Sequence, residues 1–187
     1  LVLALGLVAA ACGGRDDSGS KSSDSGSSDS GSGSSTEQLA NSKDCTNYNG
    51  TQGADGNVIK IGNSLPQSGT FKVFDKVRAG IKAYFDFQNA IGGVKSKQLE
   101  LTSLDDAYLP ERTRANAETL TTSDGVFALL GVVGTENNKA AQQFFAEKGL
   151  CVPNLAVATG YPGFGDPQTA PWIINGLPNY ALESIAF

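Results

Sequence analysis

The stretch Val126-Phe-Ala-Leu-Leu-Gly-Val-Val133 decides the fold. It is a continuous apolar run of strand length, and a strand that is apolar on both sides needs cover on both sides, as in a parallel sheet flanked by helices. Downstream, Asn137 to Lys148 reads as a helix closed by Gly149, and Val152 to Ala158 as the next strand. Upstream, Val58-Ile-Lys-Ile-Gly62 alternates as a first strand and runs into the turn-rich Asn63-Ser-Leu-Pro-Gln-Ser-Gly69. A helix follows in which Val77, Ile81 and Phe85 share a stripe at fourfold spacing, with Tyr84 beside them and Gly92-Gly93 as its stop. Leu99-Glu-Leu-Thr-Ser-Leu104 is a second strand, Asp105-Asp106 leaves it, and Pro110 stands where the first residue of a helix to Thr122 belongs. Trp172-Ile-Ile-Asn175 is a short fifth strand, and another helix starts near Asn179. Strand and helix alternate with short connections, and right-handed crossovers lay each helix back on the sheet. The expected fold class is α/β, a mostly parallel sheet with helices on both faces.

The front of the chain reads differently. Leu1 to Ala11 is apolar but only about half the roughly 20 residues a helix needs to cross a bilayer, so it reads as the apolar region of a signal peptide. Ala9-Ala10-Ala11-Cys12 resembles the bacterial lipobox, which implies cleavage before Cys12 and lipid on that residue. From Gly13 to Ser35 every residue is Ser or Gly except Arg15, Asp16, Asp17, Lys21, Asp24 and Asp29, a composition that cannot offset the entropy of ordering. A coil of that length has an end-to-end distance of about 25 Å, enough for a tether. The expected organisation is a signal peptide with lipobox over 1–12 lacking its basic leader, a disordered linker over 13–44, and one α/β lobe over 45–187. The start on Leu1 without Met, and the helix still apolar at Ala181, Leu182 and Ile185, suggest that the protein extends beyond both ends.

The net charge is −5 and the pI about 4.7, with no basic stripe, so the footprint of a nucleic-acid binder is missing. His is absent, which removes the usual general base of a Ser-His or Cys-His site and the commonest metal ligand. Neither GxSxG nor a P-loop occurs, and Gly160-Tyr-Pro-Gly-Phe-Gly165 has the wrong glycine order for a dinucleotide loop. No catalytic residue, metal or cofactor is expected. Of the three cysteines, Cys45 and Cys151 remain once Cys12 is assigned to lipid. In an oxidising compartment they are either bridged or two free thiols, with Cys151 buried at a strand start.

Ligands of open α/β sheets bind outside the carboxyl ends of the strands. Here those ends are Leu65 to Thr70, Asp105 to Tyr108, Gly134 to Asn138 and Ala158 to Tyr161, all polar or Gly-rich. Gly69 and Gly134 permit close approach to backbone, and Ser68, Thr70, Thr135 and Thr159 offer hydroxyls, a rim suited to a small polar solute. The same residues also serve turns and helix caps. Asp105-Asp106 reads as capping, because adjacent residues leaving a strand point to opposite sides.

The succession Ile59-Lys-Ile-Gly-Asn-Ser-Leu-Pro-Gln-Ser-Gly69, Gly80-Ile-Lys-Ala-Tyr-Phe-Asp86, Asn89-Ala-Ile-Gly-Gly-Val94, Asp105-Asp-Ala-Tyr108 with Pro110, and Val152-Pro-Asn-Leu-Ala-Val-Ala-Thr-Gly160 resembles type I periplasmic-binding proteins. Within them it is most similar to the branched-chain amino acid and amide/urea group. The resemblance implies a non-enzymatic solute receptor of an ABC importer, anchored by lipid outside the cell membrane, with ABC permease subunits as partners and an amino acid or amide as solute. It implies the first of two lobes. It places ligand contacts on Ser68 and Gly69, on Thr135, Glu136 and Asn137, and on Ala158, Thr159, Gly160 and Tyr161. Family members often carry small hydroxyl residues where this chain has Glu136-Asn137-Asn138. A sensing module of a signalling system with the same fold is the alternative.

Overall fold

The computed structural model describes residues 49–168 and 170–186; the expected signal peptide, Cys12, the whole linker and Cys45 lie outside the described residues. Five strands, β1 (Val58–Leu65), β2 (Gln98–Asp105), β3 (Ala128–Leu130), β4 (Asn154–Val157) and β5 (Ile173–Asn175), form one sheet in the order β2-β1-β3-β4-β5. Every pairing is parallel, from the eight-residue register of Val58 on Gln98 through Leu65 on Asp105 to the short contact of β4 with β5. The helices are α1 (Asp75–Ala90), α2 (Pro110–Glu118), α3 (Thr135–Lys148) and α4 (Tyr180–Ala186). Among the described residues no helix is long and apolar enough to cross a membrane.

The two faces of the sheet carry separate cores. Phe85 and Ile81 of α1 pack with Ile61, Ala128 and Leu130 on one face. On the other, Ala117 of α2 and Ala141, Phe144 and Phe145 of α3 pack with Leu120, Val126, Leu129 and Val132. Alternate residues of β3 thus enter opposite cores, which is why the run through Val126–Val133 is apolar throughout. Asn63, buried in β1, ties its neighbours: its Nδ2 donates to Leu130 O at 2.5 Å and its Oδ1 accepts from Ser103 Oγ at 3.0 Å.

Several elements differ from the sequence expectation for local reasons. The third strand is shorter, because Gly131 at φ 69° bends the chain, and Val133 rejoins the sheet as a single bridge to Ala158. The second helix ends at Glu118 and continues as a wider turn over Thr119–Ser123. There Thr121 and Thr122 donate their hydroxyls to the carbonyls of Ala117 and Glu118, both at 2.7 Å, the competition with the backbone that threonines introduce. The fourth strand spans four residues only, with Ala156 at φ 49° and a register shift against β5. Tyr84 points away from the core and is 60% exposed.

Cys151 is buried and disulfide-bonded. We propose Cys45 as its partner, since Cys12 carries the lipobox reading. A loop of that span stabilises by about 4 to 5 kcal/mol in the chain-entropy treatment. Peptide mapping without reductant is expected to recover a Cys45–Cys151 linked pair; alkylation of both thiols in the native protein would contradict it.

Candidate functional site

The sheet order reverses between β1 and β3: β1 connects to β2 on one side, and the later strands follow on the other. In open α/β sheets such a switch point opens a crevice at the carboxyl ends of the strands. The loop after β1 carries Ser68 and Gly69 into this crevice, and the start of α3 after β3 carries Thr135.

One carboxylate shapes the first loop. Asp105 Oδ1 accepts from the backbone N–H of Gln67, Ser68 and Ala107 at 2.8, 3.2 and 2.9 Å, and Oδ2 accepts from Ser68 Oγ at 2.5 Å. Partial burial works against its charge, but these hydrogen bonds outweigh that cost and hold its pKa at about 2. Asp106 points to the other side of the strand and is fully buried. It accepts from Ser64 Oγ, Thr113 Oγ1 and Tyr108 N at 2.9, 2.9 and 2.8 Å. Burial raises its pKa, and the hydrogen bonds oppose the rise. Neither carboxylate caps a helix as the sequence reading expected, since α2 starts after Leu109 without a side-chain cap; the pair instead ties turn amides and neighbouring hydroxyls. It also turns Ala107 and Tyr108 into left-handed conformations, at φ 50° and 67°.

Tyr108 is then carried across the crevice. Its ring stacks on Phe71 at a centroid distance of 4.3 Å and covers Gly134, where an added Cβ would lie 2.9 Å from Tyr108 Cε2. Beyond it, Thr135 Oγ1 and Thr159 Oγ1 lie 2.6 Å apart across the ends of β3 and β4. Thr159 is fully buried and also accepts from Tyr161 N at 3.2 Å, leaving the half-buried Thr135 as the member nearer solvent. Gly134 has no side chain to cap α3, and the first N–H groups of a helix lack intrahelical partners. This combination of hydroxyls and amide dipoles favours a solute oxygen or carboxylate.

The candidate residues separate by where their groups point. Ser68, Gly69, Thr135 and Tyr161 lie on the exposed or half-exposed rim. Glu136 is exposed and paired with Lys139 at 2.8 Å, and that Lys139 ammonium sits 4.7 Å over the Tyr161 ring. The carbonyl of Ala158 accepts from Gly134 N at 3.2 Å. Asn137 turns inward, buried, with Nδ2 donating to Thr113 Oγ1 at 2.7 Å. Gly160 is covered by Tyr180, whose ring would lie 2.4 Å from an added Cβ. Among the described residues no group of three or more Cys, Asp or Glu converges as a metal site requires. A cavity of about 740 Å³ beside α3, lined by Phe145, Phe164 and Trp172, reaches the rim at Tyr161.

The model of periplasmic binding proteins matches residues 58–181. The chain belongs to the periplasmic binding protein family. Its fold is also that of a possible leucine/isoleucine/valine-binding protein from Rhodopirellula baltica, with 32% identity over 69% of this chain and a TM-score of 0.62. A substrate-binding periplasmic protein from Ralstonia solanacearum is 33% identical over 59% of this chain, with a TM-score of 0.55. The branched-chain amino acid transporter substrate binding protein LivJ from Streptococcus pneumoniae, solved with isoleucine, is 25% identical over 65%, with a TM-score of 0.58. The chain spans 34%, 32% and 34% of these three structures. No curated protein matches it in sequence.

For this periplasmic binding protein, sequence reasoning missed Phe71, Tyr108 and Tyr180 as rim-forming aromatics. The signal for Tyr108 was its place two residues after Asp106, since an Asp hydrogen-bonded two residues on tolerates a left-handed turn.

The depressed pKa of Asp105 stabilises the folded state fully above the unfolded value of 3.8 and loses that contribution as pH falls toward about 2. Asp105→Asn should therefore flatten the decline in denaturation free energy between pH 4 and 2. An unchanged slope would contradict the role given to this carboxylate.

Proposed function

We propose that the protein is an extracytoplasmic, non-enzymatic solute receptor of an ABC importer, anchored through lipid on Cys12, whose solute is a branched-chain or related amino acid or an amide-like molecule. Its partners are then that solute and ABC permease subunits. The observation that carries this reading is the Thr135–Thr159 hydroxyl pair, 2.6 Å apart at the uncapped start of α3 and beside the sheet's switch point. Hydroxyls that both donate and accept, next to free amide groups, match the carboxylate of an amino acid better than an apolar solute. Two relatives support the amino acid reading: one is described as a possible leucine/isoleucine/valine-binding protein, and another was solved with isoleucine. Ser68 and Gly69, the backbone at Glu136 and Asn137, and the side chains of Thr135 and Tyr161 form this lobe's share of the contacts, with Ala158, Thr159 and Gly160 behind them and Thr159 acting through its hydrogen bond to Thr135.

One lobe leaves a solute open to water on its far side, whereas closure by a second lobe buries most of it. Calorimetry is expected to show binding of leucine, isoleucine, valine, urea or a short amide by the full-length protein and no tight binding by residues 45–187 alone. Thr159→Val or Ser68→Ala in the full-length protein should weaken binding by about 5- to 100-fold, the effect of leaving polar atoms unpartnered in a desolvated cleft. Micromolar binding by the isolated lobe, or unchanged affinity in both variants, would overturn the assignment. Cys12→Ser should release the protein into the medium of a Gram-positive host, and continued membrane retention would remove the anchor.

A further inference from the structure

Thr113 lies outside the rim yet links two of its parts. Asp106, at the end of β2, accepts from Thr113 Oγ1 at 2.9 Å, and Thr113 Oγ1 accepts from Asn137 Nδ2 at 2.7 Å. All three side chains are buried. Asn137 belongs to the first turn of α3, two residues after Thr135. Its neighbour Asn138 donates instead to Val132 O and Gly134 O, at 3.0 and 2.7 Å, and accepts from Asn154 Nδ2 at 2.8 Å.

Adjacent residues on a helix point about 100° apart around its axis, following from 3.6 residues per turn. Asn138 therefore pins the turn to the sheet, while Asn137 pins it to α2. With either anchor alone the turn could pivot about the remaining one. Gly134 supplies no cap, and its φ of 99° suits a residue without Cβ, so the rotation of the first turn is left to these two anchors, with the Thr135–Thr159 hydroxyl contact and the Tyr108 ring over Gly134 beside them. The place of Thr135 follows from that rotation.

We propose that Thr113 and Asp106 are positioning residues of the solute site: the chain Asp106–Thr113–Asn137 sets the rotation of the first turn of α3 and so aims Thr135 at the solute. The proposal rests on the reading of this rim as the solute site, and its test separates the two.

Thr113→Val keeps the shape of the side chain and removes its hydroxyl, while Thr113→Ser keeps the hydroxyl. In the unliganded full-length protein, amide hydrogen exchange at residues 138–141, whose N–H groups make the first intrahelical bonds of α3, should rise by about tenfold in Thr113→Val and return to within about twofold of the parent in Thr113→Ser. Asn137→Ala, which removes the other end of the link, should raise exchange in the same way should Thr113→Val fold poorly. Affinity for isoleucine should fall by about tenfold in Thr113→Val and recover in Thr113→Ser. In a Thr135→Ala background Thr113→Val should change affinity by less than about twofold, because the group it aims is gone. Unchanged exchange in Thr113→Val, no recovery with serine, or full additivity with Thr135→Ala would overturn the proposal. Should the parent protein bind none of leucine, isoleucine, valine, urea or a short amide, the solute assignment fails by itself and the exchange data still decide the positioning role.

Discussion

A carboxylate with no cation beside it among the described residues is buried at the end of β2, and the surrounding structure is arranged to satisfy it. Asp106 has three donors, each from a different element: Ser64 from β1, the N–H of Tyr108 from the loop, and Thr113 from α2. An unpaired buried charge is costly, so each of these elements is held where its donor reaches. Asn116 Nδ2 donates to Ser64 Oγ at 3.0 Å, and Asn137 extends the same network to α3. The neighbouring Asp105 faces the other way and gathers the loop after β1 by three hydrogen bonds, with a fourth to Ala107 N in its own loop. One dipeptide thus holds both sides of the crevice.

The sheet supplies the frame in which this matters. Since β1 and β3 are neighbours while their outgoing connections diverge, the crevice between their carboxyl ends is open by topology. The short α3 N-terminus, the Thr135–Thr159 pair and the Tyr108 ring then occupy its edge. Local chemistry decides only which polar groups stand there.

Much of this was legible in the residues themselves. The apolar period located all five strands and four helices, because a sheet covered on both faces leaves little room for alternation in β3 and a clear stripe in α1. Boundaries were less legible. Gly131 and Ala156 take left-handed conformations inside apolar runs, and no period reveals that. Within the rim, hydroxyls and glycines were visible as residue types, but their directions were not. Asn137 turns to Thr113, 24 residues away, and Gly160 is covered by Tyr180, 20 residues on; such long-range partners leave no trace in local pattern. Tyr108 is the local exception, turned by the Asp106 carboxylate two residues before it.

The central claim is that the solute sits at the switch point against Thr135, which Thr159 backs from the core. A crystal structure of the full-length protein with bound isoleucine tests it most directly. The account predicts solute oxygens within about 3.2 Å of the Thr135 hydroxyl and of first-turn amides of α3, with Ser68 in the same contact shell. A solute bound elsewhere, with these groups left in water, would contradict it.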